Sequence, residues 1–231
     1  MKVMRDSYQD TSFDQSKGLA GGAFGIVDRY NGGKGEEHVD GAWERPISIF
    51  RSTYTFVSEA RSHTAQGTRL SSNAGTTVWF GPHAAHSTCY VPINMAMSSV
   101  PQVYRKGFQG TLDRGAAFWA FRYVSNLLHI RFGPMKKVLQ RLATLLESKH
   151  SKELDRVVAT GSKDEINKVL TGMAHETVAR WWRLADELMV RFADGYDTRL
   201  VNGTVLDSKT FGYPAWWLEK VGYEDGPGPV F

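Results

Sequence analysis

Cysteine, proline and long apolar runs are scarce in this sequence. Its 231 residues include one cysteine, Cys89, and eight prolines. One cysteine cannot form a disulfide within the chain or a cysteine-rich zinc module, and it is consistent with a reducing, intracellular compartment without establishing one. No uncharged apolar stretch approaches the roughly 20 residues that a membrane-spanning helix needs. The first residues, MKVMRDSYQD, lack the apolar segment of a secretory signal.

Excess charge of one sign is also small. The 28 basic and 24 acidic side chains give a formal charge of +4, and the hydrophobic share of 42% is typical of a folded globular protein. Basic residues do cluster around one predicted helix: Arg131, Lys136, Lys137, Arg141, Lys149, Lys152 and Arg156. Three acidic residues interrupt the cluster, so a solvated helix face is favoured over a nucleic-acid surface.

The composition divides what we expect to be a single domain, residues 1–231, into four stretches. Residues 1–45 are rich in glycine and predict loops. Residues 46–108 carry strand patterns, residues 112–195 carry helical patterns, and residues 196–231 form a tail rich in aromatic residues and glycine. We expect the end of the tail to pack as irregular structure. The chain has no internal repeat and no low-complexity tract.

Three β-rich segments predict strands. PISIFRSTYTFV combines β-branched and aromatic residues, TTVWFGP follows a Ser/Asn/Gly turn, and STCYVPI follows the short connection HAAH. The last two predict an antiparallel hairpin whose second strand ends at Pro92. So few strands leave open sheet edges, which favour pairing with further chain. The sequence therefore indicates part of a larger sheet-and-helix assembly.

Three helices follow. Asp113 is the predicted N-cap of the first helix, which should end at Gly133-Pro134. The second, MKKVLQRLATLLESKH, is amphipathic; its predicted inward residues are Val138, Leu142, Leu145 and Leu146, and Lys136 is among its outward residues. Ser162 and Glu165 have capping-box spacing at the start of the third, which should end near Gly195. It runs through the apolar residues Ile166, Leu170, Met173, Trp181, Leu184, Leu188 and Phe192. The order of elements predicts an α+β fold, with few antiparallel strands before three helices.

Cys89 is the only candidate thiol nucleophile. His83 and His86 lie nearby, but a strand places Cys89 and Tyr90 on opposite faces, and a small buried core residue is the favoured interpretation. His83, His86 and Cys89 also carry side chains that bind zinc or iron. Their spacing of three suits neither a strand nor a helix, and the sequence offers no fourth ligand. We therefore predict two loop histidines, no metal site and no cofactor.

Arg51 interrupts an otherwise apolar predicted strand. A guanidinium in such a position is costly unless it meets a carboxylate. A substrate carboxylate or a buried aspartate would serve equally well.

Several blocks of sequence resemble the dipeptidase–secernin family of cysteine peptidases. In order, they are RDSYQDTSFDQSKGLAGGAFG, ERPISIFRSTYTFVSEARS, VWFGPHAAHSTCYVP, DRGAAFWAFRYVSN and GYPAWWLEKVGYEDGPGP. The resemblance implies an N-terminal-nucleophile hydrolase with a four-layer αββα sandwich. It also implies hydrolysis of dipeptides through an acyl-enzyme, with an amino-terminal cysteine thiolate as nucleophile and its α-amino group as base.

The chain departs from the family pattern at the nucleophile. It opens on Met1 almost at the RDSY block, and Cys89 lies in the family's CYVP strand, so the nucleophile role is not transferred to Cys89. The resemblance implies a catalytic role for Arg51 near the nucleophile. Arg5 and Asp6 are expected to bind substrate in the cleft, or else to cap a loop.

We therefore expect the carboxy-terminal part of a dipeptidase-like amide hydrolase, inactive alone. Its expected partners are dipeptide substrates and a nucleophile-bearing amino-terminal half, or another protein, at the open sheet edge. The alternative is a non-catalytic structural or scaffolding component of a larger complex.

Overall fold

The computed structural model describes residues 1–30, 35–38, 40–41, 43–61 and 75–226. The strands are β1 (Tyr54–Ala60), β2 (Thr76–Pro82), β3 (Val91–Asn94), β4 (Tyr196–Val201) and β5 (Thr204–Thr210). The helices are α1 (Gln102–Arg105), α2 (Ala117–Leu127), α3 (Phe132–Thr160), α4 (Lys163–Arg191) and α5 (Ala215–Lys220). The Ser/Asn/Gly turn predicted before β2 lies mostly outside the described residues, as do the last five residues of the tail.

The first sheet is antiparallel with the order β1-β2-β3. The hairpin predicted from TTVWFGP and STCYVPI is confirmed, but Pro92 does not end its second strand. Pro92 lies within β3, opposite Trp79. Among the described residues β3 is an edge strand, so the missing N–H of proline need not cost a ladder hydrogen bond.

The two faces of β1 have different environments. Val57 lies opposite Trp79, and both contact a core cluster that includes Leu154 and Leu170 of the long helices. On the other face, Tyr54 and Phe56 are 55% and 52% exposed. Side chains alternate across a strand, so this sheet covers a helical core with one face and presents aromatic side chains to solvent with the other.

The first half of PISIFRSTYTFV is not a strand. Residues 46–53 form turns, in which the N–H of Ser52 donates to the carbonyl of Ile49 at 3.1 Å. The N–H of Ser48 donates to the Asp6 carbonyl, and its hydroxyl lies 2.9 Å from Nδ1 of His86. These bonds to loops replace a sheet ladder. Arg51 is therefore an exposed turn residue, and the prediction that it interrupts a strand is wrong.

The first predicted helix has other boundaries. Asp113 caps a turn by accepting a hydrogen bond from the N–H of Gly115 at 2.7 Å, and α2 begins only at Ala117. The prediction of an N-cap at Asp113 is wrong. Gly133 and Pro134 lie in the first turn of α3 rather than at the end of its predecessor. Proline is tolerated there because a first-turn N–H has no partner within the helix.

Helix α3 is longer than predicted, and its buried face is rotated. Its core residues are Met135, Leu139, Ala143, Leu146, Leu154, Val157 and Val158, whereas Leu145 is 69% exposed. Lys136, predicted to point outward, is only 8% exposed. Of the four residues predicted to point inward, Leu146 is buried and Val138 and Leu142 pack against the core, so the prediction is confirmed in part. Periodicity did not find the centre of the face, because apolar side chains occur on both of its flanks.

Helix α4 confirms its prediction closely. The Ser162 hydroxyl accepts a hydrogen bond from the N–H of Glu165 at 3.2 Å, which is the predicted cap. The apolar residues of the predicted helix are all buried: Ile166, Leu170, Met173, Trp181, Leu184, Leu188 and Phe192. Trp181 stacks on Phe121 of α2 with ring centroids 4.9 Å apart. Helices α2, α3 and α4 thereby enclose the larger of two core clusters.

The carboxy-terminal stretch is more regular than expected. Strands β4 and β5 form an antiparallel hairpin across Asn202 and Gly203, which have φ values of 51° and 79°. Helix α5 follows within the part predicted to be irregular.

The described residues confirm an α+β fold with two small antiparallel sheets. None of their helices is both long enough and apolar enough to cross a membrane.

Candidate active-site cavity

A cavity of about 390 Å³ opens between the turn at residues 50–53, the connection after β2 and one side of α2. Its lining residues are Tyr30, Phe50, Arg51, Ser52, Thr53, His83, Gln109, Phe118, Arg122, Ser125, Asn126 and His129. The set includes two arginines, two histidines, two amides and four hydroxyl groups, and it includes no carboxylate. Such a lining is suited to a small, polar and anionic ligand.

Both arginines are held by aromatic rings. The guanidinium carbon of Arg51 lies 5.2 Å from the ring centroid of Phe50. That of Arg122 lies 5.5 Å from Phe118 and 5.8 Å from Trp119. Neither arginine forms an ion pair with a carboxylate among the described residues. Their charges are therefore positioned without being neutralised within this part of the chain.

His83 lies at the wall of the cavity in an unusual backbone conformation. Its φ is +64°, and its N–H donates to the Thr53 carbonyl at 2.8 Å, which fixes the turn that carries Arg51. Its Nδ1 is buried without a hydrogen-bond partner in the described structure. Burial lowers the pKa of His83 to about 4, and the electrostatic interactions with His86 and Arg122 act in the same direction. The imidazole is therefore neutral at pH 7.

A buried carboxylate lies behind this wall. The Asp28 side chain is fully buried, and its Oδ2 lies 2.9 Å from Nε2 of His129 and 3.8 Å from Nε2 of His86. Burial opposes a charge on His129, but the hydrogen bond and negative charge of Asp28 outweigh it and raise the pKa of His129. The Tyr30 hydroxyl lies 3.0 Å from the same nitrogen. Asp28 thus favours the positively charged form of His129 at the cavity.

Two other basic side chains near Asp28, those of His86 and Lys136, have lowered pKa values. Burial lowers the pKa of His86 to about 4, although Asp28 acts in the opposite direction. Burial also lowers the pKa of the Lys136 amine, which lies 5.4 Å from the Phe132 ring, and Asp28 again offsets part of the effect. Oδ1 of Asp28 has no hydrogen-bond partner in the described structure. The centre is therefore polar and buried, with one close ion pair.

Arg5 and Asp6 lie away from the lining. The Arg5 guanidinium pairs with Glu147 of α3 and donates to the carbonyls of Ala85 at 3.2 Å and Thr88 at 3.0 Å. The Asp6 carboxylate accepts a hydrogen bond from the N–H of Tyr8 at 2.7 Å, which is a loop cap. These contacts connect the first residues to the loop before β3. Substrate binding by Arg5 and Asp6, and catalysis by Arg51, stay predictions.

Cys89 is a core residue, as the favoured interpretation predicted. Its side chain is fully buried beside α2 and α3, and its Sγ lies 3.9 Å from the Tyr90 carbonyl. Burial raises the pKa of the thiol well above its usual value, and the charge of Glu147 contributes. His83 and His86 lie in the β2–β3 connection, as predicted, although both are more buried than loop residues usually are. No group of metal-binding side chains suited to an ion occurs in the described ranges.

Sequence reasoning did not find three important residues in and behind the cavity: Asp28, Arg122 and His129. His129 offered a signal, because it interrupts the apolar run LLHIRF. Asp28 offered none, since it lies in a glycine-rich stretch and is separated from His129 by 101 positions. Arg122 lies directly after Phe121 in a helical segment and resembles an ordinary surface arginine in the sequence.

Comparison with known proteins identifies the class. The model of Peptidase family C69 matches residues 1–145, which include every residue lining the cavity. The chain belongs to this family, the dipeptidase–secernin family of cysteine peptidases, and the predicted resemblance is confirmed. Membership indicates a hydrolase of the peptidase or dipeptidase type. Searches of curated proteins and of solved structures found no match.

Proposed function

We propose that this chain forms the carboxy-terminal part of a dipeptide hydrolase whose nucleophile is an amino-terminal cysteine outside these 231 residues. The observation that carries the proposal is the state of Cys89, the only cysteine in the sequence. A nucleophilic thiol must ionise and reach the scissile carbonyl. Cys89 is fully buried, and its pKa is raised. Within a cysteine peptidase family, the thiolate must therefore come from elsewhere.

The proposed reaction follows the chemistry of an amino-terminal nucleophile. The free α-amine accepts the thiol proton, and the thiolate attacks the peptide carbonyl. Collapse of the tetrahedral intermediate expels the amine of the second amino acid, which takes up the proton, and leaves a thioester with the first. Water then hydrolyses the thioester and regenerates the thiol. Arg51, in the cavity lining, is the described residue that we place next to the reacting carbonyl.

The sheet supports the finer proposal of a four-layer αββα sandwich. Helices pack on one face of β1, while Tyr54 and Phe56 are exposed on the other. Two stacked sheets bury such faces against each other. The outer edge of β1 also has no strand partner among the described residues. We place the second sheet, carried by the amino-terminal half, against Tyr54 and Phe56.

Reconstitution tests the proposal. The 231-residue chain is assayed on a dipeptide panel alone and together with a C69 amino-terminal half that begins with cysteine. We expect turnover only from the combination, loss of turnover when the first cysteine of the added half is replaced by alanine, and retention with Cys89→Ala. Turnover by the isolated chain that disappears in Cys89→Ala would refute the proposal.

The alternative is a scaffolding component without catalysis. The exposed aromatic side chains of β1 and its open edge favour this second candidate as well, because both features serve association without any nucleophile. Size-exclusion chromatography and pull-down with the purified chain distinguish it. A stable complex that lacks any cysteine-initiated chain supports a scaffold, whereas a lone, soluble monomer argues against it.

A further inference from the structure

The charge of the cavity is positive and is not balanced by its own lining. Arg51 and Arg122 line it together with His129, whose protonated form Asp28 favours, and no lining residue is acidic. The Asp28 carboxylate has no exposed surface, and it lies 2.9 Å from His129, so it neutralises that imidazolium rather than the two guanidinium groups. The two arginine charges remain for a ligand. In a partly enclosed cavity they are screened less than on an open surface.

The arginines are also prepared for a planar anion. Phe118 and Trp119 lie beside the Arg122 guanidinium, whose N–H groups have no acceptor in the described structure. A carboxylate can accept two parallel hydrogen bonds from such a group. Arg51, which lies beside the Phe50 ring, supplies a second positive charge in the lining of the same cavity. This arrangement favours a carboxylate over a neutral amide.

The size and remaining lining favour a short peptide over a larger anion. The volume of about 390 Å³ lies at the small end of the range for ligand pockets. Amide groups of Asn126 and Gln109, with the Tyr30 hydroxyl, provide neutral hydrogen-bonding partners beside the charges. A dipeptide presents one carboxylate and one peptide group within a cavity of this size. The carboxylate complements the positively charged lining residues, and the peptide group complements the neutral ones.

We propose that this cavity is the subsite for the carboxy-terminal carboxylate of the dipeptide, with Arg122 as its main binding residue and Arg51 assisting. The inference rests on the proposed function, and it gives a physical reason for choosing dipeptides over longer chains. A substrate whose second residue continued into a chain would replace the carboxylate with a neutral amide. The two arginines would then be left without an anion in a confined space.

Binding to the intact 231-residue chain tests the subsite directly. Isothermal titration calorimetry compares a dipeptide with the same dipeptide amidated at its carboxyl end. We expect the acid to bind at least tenfold more tightly than the amide. Arg122→Gln should weaken binding of the acid roughly tenfold to hundredfold and remove the preference, because a charge-assisted hydrogen bond is lost. Arg122→Lys, which keeps the charge, should restore part of the preference.

Arg114→Gln is the matched control. Arg114 is an exposed arginine near the start of α2, stacked 4.6 Å from the Trp182 ring and outside the cavity lining. Its replacement should leave both affinities unchanged, and circular dichroism should show that all variants are folded. Equal binding of acid and amide, or equal effects of Arg114→Gln and Arg122→Gln, would overturn the subsite.

The reconstituted enzyme separates this inference from the proposed function. If the combination hydrolyses dipeptides while Arg122→Gln leaves KM unchanged, the subsite is wrong and the function stands. If the chain binds dipeptide acids selectively while no cysteine-initiated half gives turnover, the function is wrong and the carboxylate site stands.

Discussion

At the scale of single residues, the buried centre behind the cavity brings Asp28 together with basic side chains that water would otherwise solvate. Asp28 is buried, and His129 is its closest ionic partner. A buried ion pair contributes little net stability when both members are present, but removal of one member leaves an uncompensated charge or donor. His86 lies 3.8 Å from Asp28, but burial outweighs this attraction, and burial keeps both His83 and His86 neutral at pH 7. Histidines within one small region therefore have pKa values shifted in opposite directions.

Asp28→Asn should destabilise the protein by about 3 kcal/mol near pH 6. The raised pKa of His129 contributes stability that is complete below the unfolded pKa of about 6.5 and is lost as pH rises through the folded pKa. The penalty of the substitution should therefore shrink at pH 9. Urea unfolding at both pH values measures it. The control is Asp40→Asn, which removes the exposed partner of His38 and should cost little at either pH.

His83→Asn should improve stability in acid. With a folded pKa of about 4, His83 opposes protonation, so stability falls between about pH 6.5 and pH 4 as the unfolded state takes up a proton. Asparagine cannot titrate, and it also tolerates the φ of +64° better than most residues. The variant should lose less stability on acidification, by roughly 3 kcal/mol when the effect is complete.

His175→Gln, at an exposed position of α4, is the control for His83→Asn. Urea unfolding at pH 7.5 and pH 4.5 compares the two variants with the parent protein. Identical pH dependence of the parent and His83→Asn would contradict a neutral, buried His83.

At the scale of elements, two glycines with open space around them have opposite roles. Gly172 lies inside α4 with an ordinary backbone, whereas Gly203 forms the β4–β5 turn at φ +79°. Helix interiors disfavour glycine because it loses more backbone entropy on folding, while a left-handed turn favours it because a Cβ is strained there. Space is not limiting at either position, so backbone conformation alone decides the sign of a substitution.

Gly172→Ala should therefore stabilise the protein by about 0.5–1 kcal/mol, and Gly203→Ala should destabilise the hairpin by about 1 kcal/mol. Urea unfolding measures the first effect. Amide hydrogen exchange in β4 and β5 measures the second, because an isolated two-stranded hairpin can open without global unfolding. Equal signs for the two variants would show that packing, not backbone conformation, determines these positions.

At the scale of the whole molecule, the exposed aromatic side chains of β1 determine how we expect the chain to associate with a partner. Exposed apolar patches mark interaction surfaces, and an open strand edge next to one increases the tendency to associate. Under the proposed function, the amino-terminal half covers this face and also completes the cavity region with the nucleophile. Association and activity should then depend on the same surface.

Phe56→Thr should weaken association with the added half by about tenfold or more, since burial of a phenylalanine contributes roughly 2 kcal/mol. Threonine keeps strand propensity, so β1 itself should persist. The control is Leu145→Thr, an exposed leucine on the helical side of the molecule. Sedimentation or surface plasmon resonance measures both affinities. Equal loss, or no loss, in the two variants would place the docking surface elsewhere.

Local patterns in the sequence predicted much of the fold. The cap at Ser162 and the buried face of α4 depend on neighbours within a few positions, and so does the β2–β3 hairpin. The Asn202-Gly203 pair was a usable signal for the missed β4–β5 hairpin, since this dipeptide favours a tight turn with positive φ at both positions. The segment 46–53 was mistaken for a strand because its β-branched composition does not show that Ser48 bonds to two loops.

What the sequence determined by itself is the family and the α+β class. Both depend on composition or on ordered blocks of residues. The tertiary structure alone decided that Arg51 shares a cavity with Arg122, and that Asp28 raises the pKa of His129 while burial lowers the pKa of His83 and His86. Those relations depend on distance and burial between residues far apart in the chain, and the periodicity of a segment carries no information about either.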